Sequence, residues 1–344
     1  MKTLAAILVE QRKPLEIAEV ELPVLHFGQV LVEIKVTRIC GSQLGEIDGV
    51  KGPDRYLPHL LGHEAGGVVL ETGPEVTQVK TGDHVVVHWR PGNGIQAKPT
   101  TYQWDGKTVN AGNITTFQQY AVISENRLTV VPRELDPEIS ALLADTLTTG
   151  FGIVTRDASV SIGESIVFFG AGGIGLGAIL GAHLAGAYPI VAIDLHDHKL
   201  TKAREFGATH TINAKHASAL DDEIRCIVGN TGADVTVDGT GQATVIEQCY
   251  RLTSNKGRTV LFGVLPHDKT VNIHTLPLHF GRVLTGSEGG GSLPSADIPR
   301  LVRMMQAGKF DPKGFVSHRL ALPEINTGIS KMRSGEVVHA MVHF

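Results

Sequence analysis

The stretch SIVFFGAGGIGLGAILGAHLAG, residues 165–186, decides the fold. A short apolar run leads into Gly170, Gly172 and Gly175, spaced G-x-G-x-x-G, and a small-residue helical segment follows. The spacing alone is a weak signal, but a strand before it and a helix behind it supply the context a dinucleotide-binding turn needs. Gly170 permits the tight turn, Gly172 lets the backbone approach a pyrophosphate, and Gly175 lets helix and strand close on each other, with the helix N-terminus facing the anion. Asp194 ends the next apolar run, YPIVAID (188–194), at the expected distance of about 20 residues. A carboxylate there accepts hydrogen bonds from both adenosine ribose hydroxyls and repels a 2′-phosphate, so the expected cofactor is NAD rather than NADP. Lys199 is a candidate to stack on or bond the same ribose; the plainer reading is a solvated helix lysine. The competing reading of the whole motif is a Rossmann-like domain without a ligand.

Working outward, strands and helices alternate through HKLTKAREFG (198–207), DVTVD (234–238) and GRTVLFG (257–263), the pattern of a doubly wound parallel sheet. Up to about residue 135 the character is different. QVLVEIKVT (29–37) alternates so that one side is buried, and GGVVLETG (66–73) and GDHVVVHW (82–89) are further short strands bounded by Gly and Asp. These predict a barrel-like β domain. Asp136-Pro137-Glu138 is a helix start: a cap, a fixed φ in the first turn, and an acid at the positive end of the dipole. Residues 90–118 read as a long polar excursion rich in Gly, Pro and Thr, and ADIPRLVRMMQAGKF (296–310) as a helix.

A chain of 344 residues suggests about two domains. The formal net charge of −4 and the lack of a basic run argue against nucleic acid or an anionic membrane as partner. No apolar run is long enough to predict a membrane span, and the one near the start is too short for a secretory signal. Cysteine is limited to Cys40, Cys226 and Cys249, an odd, low count that predicts no disulfide framework and a reducing, cytoplasmic setting.

In ISALLADTLTTGFG (139–152), Asp145 stands in an otherwise core-like run. A carboxylate there is costly unless it is paired or metal-bound. ICGSQLG (39–45) and LGHEAGG (61–67) add Cys40, His63 and Glu64. Thiolate, imidazole and carboxylate are zinc's ligands, and a catalytic site uses three of them with one position open. Taken singly, each has an ordinary alternative: a buried filler for Cys40, a satisfied core histidine for His63, a second cap or a salt bridge to an arginine for Asp145.

With CGS (40–42), GHE (62–64), DTLTTGFG (145–152), GAGGIG (170–175) and RSGE (333–336), the chain resembles the zinc-dependent medium-chain alcohol dehydrogenases almost end to end. The resemblance implies a GroES-like β-rich catalytic domain (1–150), a Rossmann NAD-binding domain with a doubly wound parallel sheet (151–288), and a return to the catalytic domain (289–344). It implies Cys40, His63 and Asp145 as ligands of a catalytic zinc, with Glu64 close by as a supporting or transient ligand. Ser42 is then the hydroxyl that takes the substrate's proton, and Trp89 a wall of the substrate pocket. Thr149, Gly173, Ile174 and Val264 join the glycines, Asp194 and Lys199 as cofactor contacts.

Three departures from the family pattern matter. The lobe that carries a second, structural zinc in the family has no cysteine here between 88 and 118, so one metal per chain is expected. Gly45 stands where many members have a proton-relay histidine, which leaves the route from Ser42 to the ribose and water, with Glu46 or His59 as helpers. His339 stands where some members place an arginine on the pyrophosphate, and is expected to contact the cofactor there, a neutral imidazole holding it less firmly. The implied activity is reversible oxidation of a small-molecule alcohol to an aldehyde or ketone with NAD. The alternatives are a polyol or sugar-type dehydrogenase with the same zinc, a zinc-free quinone or enoyl reductase, and a cofactor-binding protein without catalysis. A homodimer or homotetramer is expected, with KTVNIHTLPLHFGRVLTGS (269–287) supplying edge strands.

Overall fold

Along Gln29–Ile39 the alternation holds over the first half: Val30, Val32 and Ile34 are buried completely, while Leu31, Glu33 and Lys35 are half-buried, and from Val36 onward every residue is buried. This strand pairs with Glu64–Thr72 on one edge and, on the other, with Tyr120–Ser124 at its start and Ala340–His343 at its end. It is the spine of a seven-stranded sheet that His84–His88, Leu128–Val130 and His318–Ala321 complete. The computed structural model describes residues 1–344 and divides them into two units, Met1–Asp145 with Leu293–Phe344, and Thr146–Ser292. The breaks fall a few residues from the 150 and 288 junctions expected from the sequence, the first of them directly after Asp145.

In the first unit a closed five-stranded barrel accompanies the large sheet: Lys2–Leu8, Glu16–Glu21, Thr101–Trp104, Lys107–Asn110 and His59–Leu60. Two of these strands lie in the segment read from sequence as an irregular excursion. Asp105 (φ 47°) and Gly106 (φ 74°) form their two-residue turn, the Asp-Gly pair whose left-handed backbone matches hairpin twist. Elsewhere in the excursion Ile95 is tied to Glu125, which is fully buried. Its carboxylate accepts from the backbone N–H groups of Thr77 (2.5 Å), Gln78 (2.7 Å) and Ile95 (2.6 Å).

The second unit is one six-stranded parallel sheet of β1 (Ile166–Phe169), β2 (Ile190–Asp194), β3 (His210–Asn213), β4 (Ala233–Asp238), β5 (Thr253–Leu261) and β6 (Val283–Gly286). The order β3-β2-β1-β4-β5-β6 is that of a doubly wound dinucleotide-binding sheet, with its switch point at β1. The helix Gly173–Leu184 follows β1 directly. No helix is long and apolar enough to cross a membrane.

Candidate active site

Four side chains converge in the first unit: the donor atoms of Cys40, His63, Glu64 and Asp145 all lie within 4.8 Å of one another. Cys40, His63 and Asp145 are each placed by an interruption of regular structure, and Glu64 by the first position of a strand. Cys40 caps the helix Gly41–Asp48 where the strand Gln29–Ile39 ends. His63 enters the strand Glu64–Thr72 through Gly62 (φ +99°), where a Cβ would stand 2.3 Å from Thr116 Oγ1. Asp145, at φ −146° and ψ −55°, separates the helices Pro137–Ala144 and Thr146–Gly152. An unbroken helix would have carried its carboxylate round with the apolar run; the break releases it from that register.

Asp145 Oδ2 lies 3.7 Å from His63 Nε2 and 3.8 Å from Cys40 Sγ. Tetrahedral zinc with bonds of about 2.0–2.3 Å sets its ligands about 3.3–3.7 Å apart, so the spacing fits that ion. Two further observations agree. His63 Nε2 and Ser42 Oγ are both buried without a hydrogen-bond partner, which is costly unless something else meets them.

The supports of these groups were not legible in the sequence. Gln43 accepts from the Cys40 backbone N–H on Oε1 (2.8 Å) and sets Nε2 2.6 Å from His63 Nδ1, holding two candidate ligands with one amide. Trp89 donates its indole N–H to Asp145 Oδ1 at 3.0 Å, leaving Oδ2 for the cluster. Arg38, 1 % exposed, pairs with the fully buried Glu64 at 2.8 Å. Gln43 sits at the third helical position behind Cys40, which is the one sequence cue to its role; for Arg38 no local cue exists.

The electrostatics follow from burial and crowding. Burial works against the charge on Arg38, but Glu64, Cys40 and Asp145 hold it protonated. Burial also pulls His63 down, yet Asp145, Cys40 and Glu64 outweigh it and hold its proton well above the usual histidine range. The Glu64 carboxyl is pushed up by burial against the pull of Arg38.

In the second unit, Gly170 adopts φ +101°, and a Cβ on Gly175 would fall 2.2 Å from Gly170 O, so turn and helix close as the motif requires. Nothing lies within 4 Å of a Cβ on Gly172, and no side chain caps the helix it precedes. The backbone donors there are open to an anion. Asp194 accepts from Ala171 N (2.9 Å), Leu195 N (2.8 Å) and His196 N (3.0 Å), fastening the end of β2 to the glycine turn. Thr149 is buried, Gly173, Ile174 and Lys199 are half-buried, and Val264 is exposed.

Two expectations change. His339 is fully enclosed, its ring edge-on to Phe315 at 5.4 Å, and burial followed by Arg38 pulls its proton affinity well down. From there it offers a pyrophosphate no surface, because it follows Val337 and Val338 into the buried end of the sheet. His59 has both ring nitrogens engaged, by Asp54 Oδ2 and Leu60 O, each at 2.8 Å, which leaves it no free nitrogen for a relay.

Comparison with known proteins accords with this geometry. The family model of the alcohol dehydrogenase GroES-like domain matches residues 26–133, and that of the zinc-binding dehydrogenases matches residues 173–307. The chain is 33 % identical to an S-(hydroxymethyl)glutathione dehydrogenase of Paracoccus denitrificans, over 99 % of this chain and all of that one. It is 34 % identical to an alcohol dehydrogenase class-3 of Cereibacter sphaeroides over the full length of both. The crystal structure of benzyl alcohol dehydrogenase from Acinetobacter calcoaceticus superposes with a TM-score of 0.89 at 26 % identity, covering 100 % of this chain and 99 % of that one.

Proposed function

We propose that this chain, which belongs to the zinc-dependent medium-chain alcohol dehydrogenases and interconverts an alcohol and its aldehyde or ketone with NAD, holds a single zinc between Cys40, His63 and Asp145. The observation that carries this assignment is the convergence of a thiol, an imidazole and a carboxylate at tetrahedral spacing beside two buried, partnerless atoms. Bound there, zinc supplies Lewis-acid polarisation of a substrate oxygen, and the nicotinamide supplies the hydride acceptor.

The chain's own residues do the rest. Ser42 Oγ, with no partner inside the protein, is free to receive the substrate's proton. Gly45, one turn on, offers no side chain to take it further, so with NAD bound a ribose hydroxyl and water would be the way out. Trp89 walls the pocket with its ring while its N–H orients Asp145. Asp194, Lys199 and the Gly170–Gly175 turn take the adenosine and pyrophosphate, with Thr149, Ile174 and Val264 against the nicotinamide half. The Asp194 charge disfavours a 2′-phosphate and so favours NAD.

One zinc per chain fits how the 88–118 lobe is held, by a hairpin and by the bond from Ile95 N to the Glu125 carboxylate. A free thiol at Cys40, one of three unpaired cysteines, fits a reducing compartment such as the cytoplasm. Homo-oligomerisation through β6 is supported by its place at the sheet edge, by exposed Val283 within it and by exposed Leu276 and Phe280 just before it. Elemental analysis together with NAD reduction over S-(hydroxymethyl)glutathione, benzyl alcohol and a vicinal diol tests the reading. The expected result is one zinc per chain, lost in Asp145→Ala; a metal-loaded, active Asp145→Ala enzyme would overturn it.

A further inference from the structure

The cluster has one donor too many. Glu64 brings a carboxylate oxygen within the same 4.8 Å as the other three donors. Four protein ligands close a zinc site, whereas a catalytic one keeps a position open. Something must keep Glu64 off the ion. Its Oε1, the oxygen that lies 3.6 Å from His63 Nε2, is the one the Arg38 guanidinium holds at 2.8 Å. The clamp thus sits on the competing atom itself. It is also rigidly mounted. Thr37 and Ala65 are paired across the two strands, and Thr37 Oγ1 donates to Glu64 O at 2.8 Å, so the two side chains leave from adjacent, fixed backbone. Both are almost wholly out of water, where a guanidinium stays charged and a carboxylate has no solvent to turn to.

We propose that Arg38 is a positioning residue that keeps the fourth coordination position open by pinning Glu64 away from the zinc. The inference rests on the ligand assignment above. Without the guanidinium, the nearest compensating charge for Glu64 is the ion, and the carboxylate moves onto it.

The test compares zinc extraction by a chromophoric chelator, and the visible spectrum of the cobalt-substituted protein with and without an added inhibitory anion, across four proteins. In Arg38→Met, extraction slows about tenfold or more, the size expected when a supporting partner of a metal site changes. The cobalt spectrum no longer responds to the anion, and turnover falls. In Arg38→Met/Glu64→Gln the extraction rate and the spectral response both return to those of the parent, an outcome that mere structural damage by Arg38→Met would not give. Glu64→Gln alone, which gives up the charge that competes for the ion, leaves extraction unchanged, and it keeps the proposal falsifiable should Arg38→Met fail to fold. Faster extraction from Glu64→Gln would mean that Glu64 already ligates in the parent, and unslowed extraction from a folded Arg38→Met would mean that Arg38 restrains nothing; either overturns the proposal. A parent protein that binds no zinc would instead overturn the ligand assignment.

Discussion

The bond from Trp89 Nε1 to Asp145 Oδ1, at 3.0 Å, gives the sharpest test of how the site is built. Trp89→Phe keeps an aromatic face and deletes one donor. A hydrogen bond to a charged acceptor contributes about 1.5–3 kcal/mol. The bond aims Oδ2 at His63 Nε2 and Cys40 Sγ, 3.7 and 3.8 Å away. Its loss lets the carboxylate turn, and the cost falls on zinc binding. At about 1.4 kcal/mol per factor of ten, zinc affinity should drop about ten- to a hundredfold. Competition against a chelator of known affinity measures the ratio directly. Trp104, the second of the two tryptophans, lies in the barrel strand Thr101–Trp104, so Trp104→Phe controls for loss of an indole as such. A folded Trp89→Phe protein that binds zinc as tightly as the parent would refute the claim that this bond pre-aligns Asp145.

Ser42→Ala should lower turnover by about two to four orders of magnitude with zinc still bound, the usual weight of a proton-transfer group, as steady-state kinetics with metal analysis will show. Asp194→Ser removes the charge facing the 2′ position and should raise the NADP-to-NAD ratio of kcat/KM about tenfold or more, read from the two cofactor titrations. His88 is buried between Arg90 O and Thr129 Oγ1, and burial lowers its pKa from 6.5 to about 4. Between those values the unfolded chain binds the extra proton, so stability is retained above pH 6.5 and declines as pH falls toward 4. The loss amounts to about 3 kcal/mol. In chelator-treated protein, His88→Gln should make the fall of melting temperature over that window shallower; an unchanged slope would count against a buried neutral His88.

What the sequence disclosed depended on how local the physics is. The glycine turn was legible because its requirements sit within a few residues: a left-handed backbone at Gly170 and a missing Cβ at Gly175. Asp145 was legible as an anomaly, a charge in an apolar run, although its neighbours came from other strands. The hairpin of Tyr102 to Val109 carried its cue in Asp105-Gly106, which the polar composition around it masked. Arg38 was invisible for a different reason. An arginine near the end of an alternating strand reads as a solvated residue, and only the pairing of Thr37 with Ala65 brings it to Glu64. His339 misled because a position can be matched while its surroundings differ: the strand Ala340–His343 that follows it pairs beside Arg38, and the imidazole is enclosed there.

Arg38 also resolves how so many acids share a dry cavity. Before zinc binds, Glu64 and Asp145 stand against Arg38 and a His63 whose proton its neighbours retain. Those charges cancel. Zinc requires a neutral imidazole and a thiolate, so loading exchanges two protons for one doubly charged ion. Arg38 and zinc then face Cys40, Glu64 and Asp145, and the sum is again zero. A site that is neutral in both states avoids the several kcal/mol that an uncompensated buried charge costs. Were Arg38 apolar, the loaded cluster would carry a net negative charge in the same volume, and Glu64 would have only the ion left to pair with. The charge count and the clamp geometry thus lead independently to the same arginine.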